Sequence, residues 1–195
     1  RAGEMAPLSP DVPLYLGLHY ARGREWPRAV PLLDRALADD PDRLPALEAL
    51  AALRERQGRP ADAVALRRQL HALRRPAAAD LARLGEDAMA AGDTRTAIEA
   101  FEKERAAAGS AFAHDLELGV LYLADRRLED ARAALDRVPA SHPAYAMALF
   151  KRAQVSVLLG EADRGERIAL ARRKADATTR RLVESERLFR DTPAR

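Results

Sequence analysis

Four histidines are the side chains of this sequence best suited to proton transfer or metal binding: His19, His71, His114 and His142. No two of them have the i, i+4 spacing that places two metal ligands on one helical face, and no HExxH motif occurs. The absence of cysteine excludes thiolate metal sites and cysteine nucleophiles. The motifs of serine hydrolases, P-loops and dinucleotide-binding folds are also absent. The sequence therefore predicts no catalytic residue, no metal site and no cofactor, and hence a protein that is not an enzyme.

A helical stripe of basic residues is the sharpest charge feature. Its members are Arg67, Arg68, His71, Arg74 and Arg75, whose spacing places them along one helix. Such a stripe can hold a phosphate, an anionic lipid headgroup or an acidic partner. The alternative interpretation is a solvated face whose arginine stems cover apolar neighbours. Because no aromatic residues interleave with the stripe for base stacking, we expect no nucleic-acid binding.

The composition indicates a folded helical protein. Hydrophobic residues make up 48% and charged residues 32% of the 195 residues, and the net charge is only +3. The chain is rich in Ala, Leu, Arg and Glu, which are good helix formers. The excess of arginine over lysine and the lack of asparagine are typical of a high-GC, bacterial genome. No apolar run approaches the roughly 20 residues of a membrane span, so we expect no membrane insertion.

The first residue is Arg1 rather than methionine, which suggests a processed chain or a part of a longer protein. A chain without cysteine suits the cytoplasm and the periplasm equally well, so both compartments remain open.

A period of 34 residues runs through the chain. Its columns are the leucines Leu16, Leu50, Leu84 and Leu118, the small residues Gly17, Ala51, Gly85 and Gly119, and the alanines Ala29, Ala63, Ala97 and Ala131. A further column holds glycine in three repeats and arginine in two: Gly58, Gly92 and Gly160 with Arg24 and Arg126. Several columns in one register indicate a true repeat rather than chance in an alanine-rich sequence.

This pattern resembles the tetratricopeptide repeat (TPR) family over roughly residues 10–173. The first repeat, for example, reads Leu16-Gly17-x-x-Tyr20 and then Ala29-x-x-x-Leu33. The resemblance implies an all-α fold, a right-handed superhelical solenoid of antiparallel helix pairs. We expect a lead-in at 1–9, five TPR-like helix pairs over 10–173, a C-terminal capping helix at 174–191 and a tail at 192–195.

The expected helix pairs are 12–23 with 26–39, 44–57 with 60–74, 78–91 with 94–107, 112–125 with 128–138, and 144–159 with 162–173. Small residues in the Gly17 column let paired helices approach closely. Arg152 replaces the column leucine in the fifth pair, which indicates an edge repeat. We expect Thr178, Leu182 and Phe189 on one side of the capping helix, which can run on from its predecessor because no glycine or proline intervenes.

The resemblance implies that first helices line a concave groove that binds a partner protein or peptide. The residues expected to line it are Leu14, Tyr15, Leu18, Arg83, Glu86, Met89, Leu116, Glu117, Val120, Leu123, Phe150, Lys151, Gln154 and Val157. The basic clamp of chaperone-binding TPR proteins is mostly missing, because only Arg83 is basic among its positions. Binding to chaperone tails is therefore not expected.

The later repeats bring several apolar residues into this expected groove. Leu116, Val120, Leu123, Phe150 and Val157 would form an exposed apolar strip, which normally marks an interface. The alternative is that the capping helix covers the strip.

The sequence thus predicts a non-catalytic scaffold or adaptor that binds a partner segment in the groove. Two alternatives remain. One is an accessory domain of a larger enzyme or assembly; the other is a homo-oligomerising structural element, or a subunit of a larger complex.

Overall fold

The computed structural model describes residues 11–190, and all regular structure in this range is helical. Five helix pairs follow one another: α1 Val12–Arg22 with α2 Trp26–Asp39, α3 Leu44–Arg56 with α4 Pro60–Leu73, α5 Ala78–Ala91 with α6 Thr94–Ala108, α7 Asp115–Ala124 with α8 Leu128–Arg137, and α9 Tyr145–Leu159 with α10 Arg164–Lys174. Helix α11 spans Ala177–Ser185, and single 3₁₀ turns lie at Gly109–Ala111 and Arg187–Phe189. Each helix that the period predicts is present, so the fold is an all-α helical repeat.

The column of glycines and arginines forms the turn inside each pair. All five residues adopt the left-handed conformation, with φ between 60° and 74°: Arg24, Gly58, Gly92, Arg126 and Gly160. In every pair the amide that follows this residue donates to the carbonyl five residues back, at 2.8–3.0 Å. This bond closes the end of the first helix and sends the chain back antiparallel.

The small residues of the repeat allow the paired helices to touch. A Cβ atom added at Gly85 would lie 2.5 Å from the ring of Phe101, and one at Gly119 would lie 2.7 Å from Leu135. Gly17 stands in the same relation to Leu33, at 2.9 Å. Each of these three pairs therefore packs a large side chain of its second helix directly on the backbone of its first, as the spacing predicts.

Two compact units make up the described part of the chain, which divides after Ala107. In unit 1, α1 to α3 share an apolar cluster that contains Leu14, Leu33 and Leu50. In unit 2, a second cluster joins α9, α10 and the C-terminal residues, with Phe150, Ile168 and Phe189 among its members.

The capping helix does not run on from α10, and it ends at Ser185. Ala175 is extended, and Asp176 starts the new helix α11 by accepting a hydrogen bond from the Thr179 amide at 2.7 Å. The buried side of α11 differs from the expected one: Thr179 and Val183 are buried, whereas Thr178 and Leu182 are exposed. Phe189 is buried, although it lies beyond α11 in the second 3₁₀ turn.

Arg152 is buried in the leucine column of the fifth pair. Its guanidinium donates to Asp136 and Glu161, both at 2.8 Å, and to Ser156 at 2.7 Å. These hydrogen bonds compensate for placing a charge in the interior. Burial alone would raise the pKa of Glu161, but the bonds from Arg152 and Ser156 outweigh it and lower the pKa from 4.5 to about 2.

Candidate protein-binding surfaces

The first helices of unit 1 carry large apolar side chains that face solvent. Tyr15 is 68% exposed and Met89 is 37% exposed, and Leu16 beside Tyr15 is also exposed. Arg83 and Glu86, on the same helix as Met89, are exposed as well. We call the surface formed by Tyr15, Leu18, Arg83, Glu86 and Met89 the first-helix face of unit 1.

The prediction that three equivalent residues of the first helices line the groove is wrong. Leu14, Leu116 and Phe150 occupy equivalent positions in three repeats, and all were expected in the groove. Each is buried instead. Leu14 belongs to the apolar cluster of unit 1, which Leu18 contacts only from its edge. The apolar character of the column in these three repeats was the signal that could have identified the three residues as core.

The acidic residues of α3 near the first-helix face already have partners. Glu48 forms an ion pair with Arg74 at 2.7 Å, and Glu55 forms one with Arg67 at 3.0 Å. Arg83 differs, because no ion pair to it occurs within residues 11–190. Its charge is therefore available to a ligand.

In unit 2 the chain's own C-terminal residues cover part of the expected apolar strip. The rings of Phe189 and Phe150 pack edge to face, with centroids 5.8 Å apart. Gln154 donates a hydrogen bond to Glu186, just before Phe189. Lys151 also lies over Phe150, with its Nζ 5.2 Å from the ring centroid. The covered alternative is therefore the one that the structure adopts around Phe150.

The remaining members of the expected groove in unit 2 are only half-buried. They are Glu117, Val120, Leu123 and Val157, and Val157 packs against the cluster that contains Phe189. One carboxylate oxygen of Glu117 and the amide oxygen of Gln154 are buried and have no hydrogen-bond donor in the described range. Sequence reasoning had no signal for either atom.

The basic stripe does not form one surface. Arg67 turns inward, where it is buried and donates to the buried carboxylate of Asp87 at 2.5 Å. Burial raises the pKa of Asp87, and the bond to Arg67 opposes that rise. Arg74 pairs with Glu48 and with Asp80. Arg67 is inward because it stands in the column of Leu33, which faces the neighbouring first helix.

The other three members of the stripe line two adjoining cavities in unit 1. Arg68 and His71 border one of about 460 Å³, and Arg75 borders a second of about 300 Å³. Lys103, from α6, borders both cavities. Sequence reasoning missed Lys103 because it considered α4 alone. The 34-residue period gives no signal for Lys103, because its equivalent on α4, Gln69, is not a member of the stripe.

No group of metal-binding side chains that could hold an ion occurs within residues 11–190. None of the helices described for this chain is long and apolar enough to cross a membrane.

Comparisons with solved structures identify proteins with the same fold. The chain is similar to YrrB, described as a TPR protein with an unusual peptide-binding site, with a TM-score of 0.73 and 12% identity over 89% of this chain and 91% of that one. It is similar to MamA, with a TM-score of 0.66 and 18% identity over 85% and 91%. A putative kinesin light chain of Podosopora anserina has a TM-score of 0.53 and 19% identity over 89% and 96%. At these identities the likeness shows the fold alone.

The sequence itself identifies the family. No curated protein matches the chain. The family model described as tetratricopeptide repeat, however, matches residues 14–79 and 82–146. These two regions cover more than half of the sequence and contain the columns at Leu16, Gly17 and Ala29 with their equivalents. This chain belongs to the tetratricopeptide repeat family.

Proposed function

We propose that this chain is a non-catalytic protein-binding module that binds a segment of a partner protein on the first-helix face of unit 1. The exposure of Tyr15 and Met89 carries the proposal. Five large apolar residues are exposed within residues 11–190, and three of them, Tyr15, Leu16 and Met89, lie on first helices of unit 1. Aromatic and methionine side chains are enriched in protein interfaces, since they provide large contact areas.

Preformed helices would make this binding efficient. Tyr15 and Met89 are held on helices whose opposite sides are packed, so little conformational entropy is lost when a partner binds. Arg83 has no ion-pair partner in the described range and would orient a carboxylate of the bound segment. YrrB, which shares the fold, is described as having a peptide-binding site.

The expected groove in unit 2 is not part of the proposed site. Phe150 already contacts Phe189, and Gln154 already bonds Glu186, so a partner would have to displace the C-terminal residues. Unit 1 requires no such displacement at Tyr15 or Met89. The proposal therefore assigns partner binding to unit 1 and self-contact to unit 2.

A pull-down from lysate of the source organism tests the proposal with two double variants. Tyr15→Ser/Met89→Ser alters the first-helix face, and Leu73→Ser/Leu182→Ser removes two exposed leucines elsewhere, each 40% exposed. Circular dichroism checks that both variants fold. We expect a protein that the wild type and the leucine variant retain and that the Tyr15/Met89 variant loses. Retention by all three proteins would exclude the first-helix face as the binding site.

A further inference from the structure

Two of the second helices of unit 1, α4 and α6, flank a groove that contains none of the residues of the first-helix face. Its rim carries Arg68, His71, Arg75 and Lys103, and its floor includes Leu81, Leu84 and Ala100. We call it the cationic groove. We propose that the cationic groove is a second protein-binding site, which binds an acidic segment of a partner protein. An apolar side chain that lies between two carboxylates of this segment would enter the groove. This inference goes beyond the proposed function, because it assigns a different surface and a defined ligand chemistry.

The shape of the cationic groove suits a side chain from a bound segment. Its main cavity has a volume of about 460 Å³, within the usual range of ligand sites of about 300–1,000 Å³. Leu81 and Leu84 of α5 reach its floor and are otherwise buried in the unit. An apolar side chain that entered would cover the remaining exposed part of this floor.

The charges around the groove favour an anionic occupant. Arg68, Arg75 and Lys103 make no ion pair within residues 11–190. The carboxylate of Glu99 also lines the groove and is already paired with Arg95 at 3.0 Å. Three cations therefore line one concave region in which the lining carboxylate is already paired, and this favours attraction to an acidic segment.

His71 supplies a buried polar group at the same place. Its Nε2 atom is buried and has no hydrogen-bond partner in the described range. Burial is the main cause of the lowered pKa of His71; Asp80 opposes it, and the charges of Arg67, Arg74 and Lys103 add to it. The ring is therefore mainly neutral at pH 7. A ligand carboxylate bound beside it would favour the charged form and raise this pKa.

A peptide fits these features better than a membrane or a nucleic acid. The apolar part of the groove is recessed below charged side chains, whereas a membrane surface would need apolar groups that protrude. No Phe, Tyr or Trp side chain lines either cavity, so the groove lacks the large aromatic rings on which single-stranded bases stack.

The test is a titration of the whole ¹⁵N-labelled chain with the peptide acetyl-Glu-Leu-Glu-Leu-Glu-amide, followed by amide chemical shifts. We expect shifts confined to α4, α5 and α6, together with an increase in the pKa of His71. Arg68→Glu/Lys103→Glu should weaken binding at least about tenfold. Arg35→Glu/Arg173→Glu makes the same change of net charge at exposed residues outside the groove and should bind like the wild type. Tyr15→Ser/Met89→Ser should also leave this binding unchanged, which separates the inference from the proposed function.

Four outcomes would overturn the inference. The first is an equal loss of affinity in the two charge-reversal variants, which would indicate non-specific attraction. The second is equal binding of the uncharged analogue in which glutamine replaces each glutamate. The third is the absence of shifts in the groove at millimolar peptide. The last is binding of phosphatidylglycerol vesicles through Arg68 and Lys103 with no binding of the peptide, which would assign the groove to membranes instead.

Discussion

Unit 1 and unit 2 are built from the same helix pairs, yet they treat the exposed side of their first helices differently. In unit 1, Tyr15 and Met89 remain open to solvent. In unit 2, the equivalent residues of the fifth pair, Lys151 and Val157, are half-buried, and Val157 packs against the cluster that contains Phe189. The repeat therefore fixes how helices pair, whereas the residues that follow the repeat decide which of its surfaces can receive a partner.

The two units also bury an arginine in different ways. Arg67 of unit 1 meets Asp87, which is itself buried, whereas Arg152 of unit 2 meets the partly exposed carboxylates of Asp136 and Glu161. The positions of Arg67 and Asp87 hold apolar residues in other repeats, for example Leu33 and Leu53. In unit 1 a buried ion pair thus stands where other repeats have an apolar contact. In unit 2 the buried Arg152 is paired with carboxylates that are partly exposed at the surface.

The largest expected effect comes from removing Arg67 alone. Arg67→Leu leaves the buried carboxylate of Asp87 without its partner and should lower the free energy of unfolding by about 3–5 kcal/mol. The double variant Arg67→Leu/Asp87→Leu restores the apolar residues of the other repeats and should recover most of this loss. Urea unfolding of both variants measures the difference. Equal destabilisation in the single and double variants would show that the ion pair does not govern this contact.

Opening the covered face of unit 2 should have the next largest effect. Phe189→Ala removes the ring that packs on Phe150 and should lower the free energy of unfolding by about 3 kcal/mol. Leu182→Ala, at an exposed position of the same C-terminal region, is the matched control and should change it by less than about 0.5 kcal/mol. Chemical unfolding of the two variants distinguishes them, and similar values would mean that Phe189 does not cover the core.

The carboxylate cluster of unit 2 should make stability depend on pH in the acid range. The pKa of Glu161 is lowered from 4.5 to about 2 by Arg152 and Ser156, against the effect of burial. Between these values the folded chain binds fewer protons than the unfolded chain, so stability falls as the pH falls. The integrated contribution is about 3 kcal/mol or less.

Glu161→Gln should remove that part of the pH dependence while preserving a hydrogen-bonding group. Unfolding measured at several pH values between 2 and 5 tests this expectation. An unchanged slope in the variant would contradict the assigned role of Glu161.

The sequence predicted the parts of the fold that local periodicity controls. The turn column of Gly58, the close contact at Gly85 and the ten paired helices all follow from the 34-residue period. The break at Asp176 was missed because no glycine or proline marks it, and a side-chain cap starts the new helix instead.

The candidate surfaces were predicted less well, since exposure depends on contacts that the period does not contain. Tyr15 and Met89 are on the surface as expected, whereas Phe150 is covered by a residue 39 positions later in the chain. Arg67 was assigned to the surface from its charge. Its equivalents Leu33, Phe101 and Leu135 are all buried, however. Lys103 joins the cationic groove only through the packing of separate helices.

Site-specific photo-crosslinking in cells of the source organism tests the central claim most directly. A benzophenone amino acid would replace Tyr15 or Met89 on the first-helix face of unit 1, and Leu182, which is similarly exposed in unit 2, would serve as the control position. We predict crosslinks to a partner protein from Tyr15 and Met89 and none from Leu182. Crosslinks from Leu182 alone, or none from either position of unit 1, would contradict the assignment of partner binding to the first-helix face.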